Sequence, residues 1–310
     1  MTTERQFIRD LQSQFPAQHP VTVGIGDDGA VLDVAADLQQ VIVTDLLLDG
    51  VHFDLNVVEP SLAGRKAIAV NLSDIAAMGC RPTAAFVSLA VPRDHSRVSP
   101  DFLRELYRGI QQMTDEFQFT LAGGDTNSWD GPLAINVCLT GVPFSGRPFL
   151  RSGAQADDAV FVTGSLGGSL YHDRHLTFTP RLQVSEWLSR SADVHAMLDI
   201  SDGLSLDLHR LLEASGVAAE ISASAIPIHC DVPAEWSFEK RLAAALGDGE
   251  DFELLFTVCG SKAAKLKAAA DAAAVSMYQI GRVLKGSGVT LIECTGKRRT
   301  MDETGWQYGL

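Results

Sequence analysis

VIVTDLLLDG, residues 41–50, decides the fold. Val41, Ile42 and Val43 are apolar and β-branched, which reads as a strand, and the strand runs straight into Asp45. Around it the pattern alternates. Upstream lie a helix near residues 3–15 and a short strand entering GIGDDGAV (24–31). Downstream, a helix is predicted from about Ser61 to Gly79, a strand over TAAFVSLAVP (83–92), a helix at about 99–117, and strands around FTLAG (119–123) and LAINVCLTGV (133–142). This alternation predicts an α/β (α+β) fold. Asp45 and Asp125 are expected just past strand C-termini, the edge at which α/β folds bind ligands.

The periodicity breaks in PFSGRPFLRSGA (143–154), where Pro, Gly and Ser accumulate. We expect two domains there, 1–148 and 149–310, in keeping with a length of 310 residues. The second half resumes with a strand over AVFVTG (159–164), a helix at about 180–190, and AMLDISDG (196–203) feeding a helix at about 203–215. Strands follow at VAAEIS, DFELLFTV, YQIGRVL and VTLIEC, with helices near 234–246 and 261–275.

Seven aspartates stand in short segments rich in small residues: Asp27 and Asp28 in GIGDDGAV, Asp45 in VTD, Asp74 in NLSD, Asp125 in LAGGDT, and Asp199 and Asp202 in LDISDG. Any one of them also reads as a turn or helix cap. Gathered together, such carboxylates repel and need a cation, and hard oxygen ligands suit Mg²⁺ carrying a phosphorylated ligand. Asn71 and Asp74 share a face of an apolar helix, where a carboxylate needs a partner. In LAGGDT two glycines let backbone amides approach a phosphate beside Asp125. GDGEDFELLF (247–256) reads either as a solvated acidic loop or as a strand that turns Glu250 into a cleft. Neither GxxxxGK[ST] nor a GxGxxG after a strand occurs, so the P-loop and dinucleotide-fold readings fall away.

Composition narrows the class further. The chain is 46% hydrophobic and 21% charged, without an apolar run of the roughly 20 residues a membrane span needs, and opens on a charged amphipathic stretch, so a cytoplasmic enzyme is expected. Five cysteines without CxxC or Cys/His spacing argue against disulfides and structural zinc. A net charge of −14 disfavours nucleic acid as a partner.

With GIGDDGAV, VTDLLLDGVHF, KAIAVNLSDIAAMGCRP, LAGGDT, RSGA, LDISDGLSLDL and GEDFELLFTV in this order, the chain resembles the thiamine-monophosphate kinases over nearly its whole length. The resemblance implies the two-domain fold of the aminoimidazole-ribonucleotide synthetase superfamily, a homodimer whose N-terminal sheets form a barrel, and Mg-dependent transfer of the ATP γ-phosphoryl group to thiamine monophosphate. It further implies magnesium positions at Asp28, Thr44, Asp45, Asp74, Asp125, Asp199 and Asp202. Nucleotide contacts are implied at Tyr107, Gly124, Asp125, Arg151 and Ser201, and the thiamine-phosphate pocket at His52, Glu250 and Trp306. No nucleophile or general base is expected. The chain departs from the family pattern in a shortened segment before HLTFTPR, in Asp248 between Gly247 and Gly249, and in QADD after RSGA. Competing readings are another ATP-using member of the superfamily and a nucleotide-binding homologue without transferase activity. Residues 1–30 contain neither Cys nor Lys, and the chain closes on GWQYGL rather than a cysteine-bearing tail, which fits the selenophosphate-synthetase and hydrogenase-maturation patterns poorly.

Overall fold

The computed structural model describes residues 4–35, 38–93 and 98–306. The QYGL end lies outside the described residues. In the first half, α1 (Glu4–Gln14), β1 (Val21–Val23), β2 (Ala30–Ala35) and β3 (Leu38–Leu48) precede α2 (Pro60–Ala77). Then come β4 (Cys80–Pro92), α3 (Pro100–Phe117), β5 (Thr120–Trp129) and β6 (Ala134–Pro143). The six strands form one sheet in the order β1-β2-β3-β6-β4-β5, antiparallel except for the β4/β5 pair.

The second half contributes β7 (Asp158–Val162), α4 (Arg174–Thr177), α5 (Leu182–Ser191), β8 (Val194–Asp199), α6 (Leu204–Ser215) and β9 (Ala218–Ser222). It closes with α7 (Phe238–Gly247), β10 (Leu254–Cys259), α8 (Gly260–Ala272), β11 (Tyr278–Leu284), β12 (Gly288–Ile292) and β13 (Arg298–Thr300). Its seven-stranded sheet runs β13-β12-β9-β11-β7-β10-β8, with only β9/β12 parallel. The fold is therefore the α+β form of the expectation. Asp45 and Asp125 also lie inside β3 and β5 rather than beyond them, because both strands run longer than their apolar cores.

Helix α2 organises the molecule. KAIAVNLSDIAAM is apolar on every side, and such a helix is stable only when enclosed. It packs on β3, β4 and β6 and on α3 from the first half, and on α4, α5 and β8 from the second. Where α2 crosses α3, a methyl group on Gly64 would lie 2.0 Å from the Leu106 carbonyl oxygen, and one on Gly109 would lie 1.8 Å from that of Ser61. Only glycine on both helices permits this approach. The second sheet divides its side chains by the period of two: Phe161, Met197 and Phe256 join the core built on α2, whereas Val160, Leu198 and Leu255 form a separate core beneath α6 and α7.

The first sheet covers only one face. Val41, Val43 and Leu47 of β3 and Val87 and Leu89 of β4 face the helices and are buried. The alternate residues Leu46, Phe86 and Leu121 are exposed on the other side, and all of β5 is exposed.

Candidate functional site

Three backbone segments meet at the acidic cluster. Asp28 sits in the bend between β1 and β2, Asp74 in the last turn of α2, and Asp199 at the end of β8. One carboxylate oxygen from each lies within 4.8 Å of the others. Burial comes first in pushing Asp74 and Asp199 well above the usual carboxylate range, and the neighbouring carboxylates add to it. Asp45, reaching the cluster from β3 and hydrogen-bonded to Asp74, is raised to about 6, again chiefly by burial.

Two arginines offset part of this charge. Arg151 Nε donates to Asp28 Oδ1 at 3.0 Å, its Nη2 binds the same oxygen, and its backbone amide meets Asp27 Oδ2 at 3.2 Å. Arg210 Nη1 bridges Asp202 at 2.5 Å and Asp207 at 2.8 Å. Ser73 Oγ donates to Asp199 Oδ2. Asp28 Oδ2 remains buried without a hydrogen-bond partner. A buried carboxylate oxygen left bare beside two more carboxylates is a set of donors that fits a hard divalent cation.

A cavity of about 680 Å³ opens beside the cluster. Its lining includes Asp45, Asp74, Asp199, Ser201 and Asp202 together with His52, Glu250, Phe252 and Trp306. His52 Nδ1 accepts from the Leu48 amide at 3.0 Å, and burial holds its pKa below the usual value, favouring neutral imidazole. The Trp306 amide donates to the Asp202 carbonyl at 3.0 Å, fixing the C-terminal segment against Asp202. The expected acceptor residues and most of the expected metal residues thus share one cavity.

Others stand elsewhere. Tyr107, Gly124 and Asp125 line a separate shallow depression on β5. Through the pairings Leu46–Asn136, Asn136–Ser88 and Ser88–Asp125, Asp125 is level with Leu46 but three strands away. That is roughly 14 Å along the sheet, so within one chain it shares no ion with Asp45. Gly124 is required where it stands, because a methyl group there would lie 1.8 Å from the Val87 carbonyl oxygen. Thr44 occupies the exposed register of β3, and its Oγ1 donates to the Val137 carbonyl at 3.0 Å, so the hydroxyl is turned away from the cluster. Arg151, expected on nucleotide, has its guanidinium on Asp28. Neither Ser201 nor Asp202 caps α6. Asp207 accepts the amides of Asp202 and Gly203 instead, at 3.0 and 3.1 Å.

GDGEDFE is not a solvated loop. Asp248 accepts the Gly168 amide at 2.8 Å, Asp251 pairs with Arg174 at 3.0 Å, and Glu253 takes both Arg181 and the Thr163 hydroxyl. Glu250 pairs with Lys66, which is 0% exposed, at 2.7 Å. It does so from an irregular segment ahead of β10, not from a strand. Lys66 is the residue sequence reasoning missed, together with His175 and Leu170 on the cavity wall. A detectable signal existed for Lys66: a cation within a helix apolar on all sides must find a buried anion.

Two family models match the chain: AIR synthase related protein, N-terminal domain, over residues 26–143, and the corresponding C-terminal domain over 155–293. Among curated proteins, the thiamine-monophosphate kinase of Rhodopirellula baltica is 40% identical, covering 99% of this chain and 97% of that protein. The Bacillus subtilis enzyme of the same name is 36% identical over 85% and 86%. Among solved structures, AaThiL complexed with AMPPCP and TMP superposes with a TM-score of 0.82 at 29% identity, covering 99% of this chain and 97% of that one.

Proposed function

Because the chain belongs to the thiamine-monophosphate kinases, a family of AIR synthase related proteins, we propose that it transfers the γ-phosphoryl group of ATP to thiamine monophosphate, giving thiamine diphosphate. One observation carries this reading: a single cavity is lined both by clustered carboxylates (Asp45, Asp74, Asp199 and Asp202) and by His52, Glu250, Phe252 and Trp306. A phosphate ester of an aromatic heterocycle fits that lining. Its phosphate is an anion at neutral pH, so attack on a second phosphate needs alignment and charge neutralisation, with no general base.

Asp28, Asp74 and Asp199, with Asp45 and Asp202 beside them, are the residues that would hold Mg²⁺. When bound, the metal supplies positive charge to phosphate oxygens and orients them. The chain's own groups do the rest. Ser201, which lines the cavity beside the carboxylates, would meet the phosphates. The Arg151 guanidinium, held on Asp28 beside the cluster, would be the cationic donor to nucleotide phosphate. Trp306 offers an aromatic face to the thiazolium, an attraction of roughly 0.5–2 kcal/mol.

We place the division between the domains at residues 148 and 149, and assign assembly to the open face of the first sheet. Leu46, Phe86 and Leu121 exposed together suit burial against a second copy. Such a symmetric dimer gives Tyr107, Gly124 and Asp125 a route into a nucleotide site that they do not reach within one chain. The deciding experiment is chromatographic detection of thiamine diphosphate from purified protein, ATP, MgCl₂ and thiamine monophosphate. Product formation that requires ATP is expected. ATP hydrolysis without phosphorylated thiamine product would overturn the assignment.

A further inference from the structure

Lys66 joins three separate segments, two of which line the cavity through His52 and Glu250. Its ammonium donates to Glu250 Oε1 at 2.8 Å, to Glu250 Oε2 at 2.7 Å and to the His52 carbonyl oxygen at 2.8 Å. These use all three of its N–H donors. The partners lie on the turn after β3 and on the segment ahead of β10, while Lys66 itself belongs to α2. The Glu250 segment is conformationally costly: Gly249, Glu250 and Phe252 have φ of 73°, 53° and 51°. Side chains in that region persist only when their surroundings hold them. The neighbouring pairs Arg174–Asp251 and Arg181–Glu253 lie outside the cavity wall, whereas Glu250 lines it with its side chain 24% exposed.

A carboxylate offers about four acceptor positions, and Lys66 takes two. The others are left to a ligand in the cavity. Because the pair is neutral as a whole, Glu250 is a poor counter-charge for a cation and a good partner for an N–H group. We propose that Lys66 is a positioning and specificity-determining residue, which holds Glu250 as an acceptor-only edge that selects phosphorylated substrates carrying an N–H donor on their heterocycle. The pyrimidine amine of thiamine monophosphate is such a donor. The inference rests on the kinase reading and deepens its substrate side.

The test is calorimetric binding to the full-length protein, which needs no turnover. The two ligands are thiamine monophosphate and its analogue with hydrogen in place of the pyrimidine amine. The wild-type protein is expected to prefer the amine by tenfold or more, since the analogue leaves a buried acceptor unpaired. Lys66→Met should bring the preference close to one. The double variant Lys66→Met/Glu250→Met replaces the pair with apolar groups of similar volume. It should melt near the wild-type temperature and still show no preference, a combination a purely stabilising role would not produce. It also decides the matter if the single variant fails to fold. A wild-type preference near one, or a preference retained in either folded variant, overturns the inference. Absence of thiamine diphosphate formation, with the binding preference intact, overturns the kinase reading alone.

Discussion

At the scale of single residues, the acidic cluster is arranged at the expense of stability. Asp74 and Asp199 are held well above the ordinary carboxylate range by burial and then by neighbouring carboxylates, Asp28 acting on both. Asp74→Asn should therefore leave the melting temperature unchanged or raise it, while lowering turnover by roughly a thousandfold or more. A calorimetric scan beside a steady-state assay checks both halves. The same physics sets a pH dependence. Asp27 and Asp45 are raised to about 6 from 3.8, so the folded chain binds more protons than the unfolded chain between those values. Stability without metal should fall as pH rises from about 4 through about 6. Mg²⁺ favours the ionised forms, so MgCl₂ should raise the melting temperature more at pH 7.5 than at pH 5. Equal shifts at both would remove Asp45 from the metal site. Most of this was legible in the chain, because acids beside small residues at element ends have few other uses in such number. The partner of Lys66 was not, since a single lysine gives no sign of which distant carboxylate it meets.

At the scale of elements, the helices and most strands follow from periodicity and caps. Helix α3 starts where Ser99 accepts the Phe102 amide at 3.1 Å, as a Ser-Pro-Asp opening predicts. Strand direction was less legible. Alternating helices and strands left strand direction open, and most pairings are antiparallel, because strand order is set by contacts between distant segments that no local pattern records. The β2 strand AVLDVA was missed for a related reason: its alternation is broken by exposed Val34 and Ala35. The α2/α3 crossing makes a sharp prediction at this scale. Gly109→Ala should cost about 1–3 kcal/mol, because its methyl group meets backbone of Ser61 rather than a movable side chain. Alanine normally favours a helix over glycine, so stabilisation by this substitution would contradict the observed contact.

At the scale of the whole molecule, the uncovered face of the first sheet is the feature that a single chain leaves unresolved. Light scattering at micromolar concentration should report a dimer, and Phe86→Glu should shift it toward monomer, with loss of turnover if the second copy completes the nucleotide site. A fully active monomer would count against that arrangement. Order and composition of the motifs made the two-part architecture readable. The separation of Asp125 from Asp45 was not, because sequence places residues on strands without saying how many strands lie between them.

Helix α2 carries a consequence for motion. It is held by strands of one sheet and by β8, α4 and α5 of the other half, so neither half owns it. A hinge between the halves would have to pull this rod out of one wall, stripping apolar surface at every degree of opening. Access to the cavity is accordingly left to parts of its wall outside α2: the 50–54 turn, the segment around Leu170 and the segment that carries Trp306. The clustered carboxylate of Asp74, by contrast, rides on the least movable part of the protein.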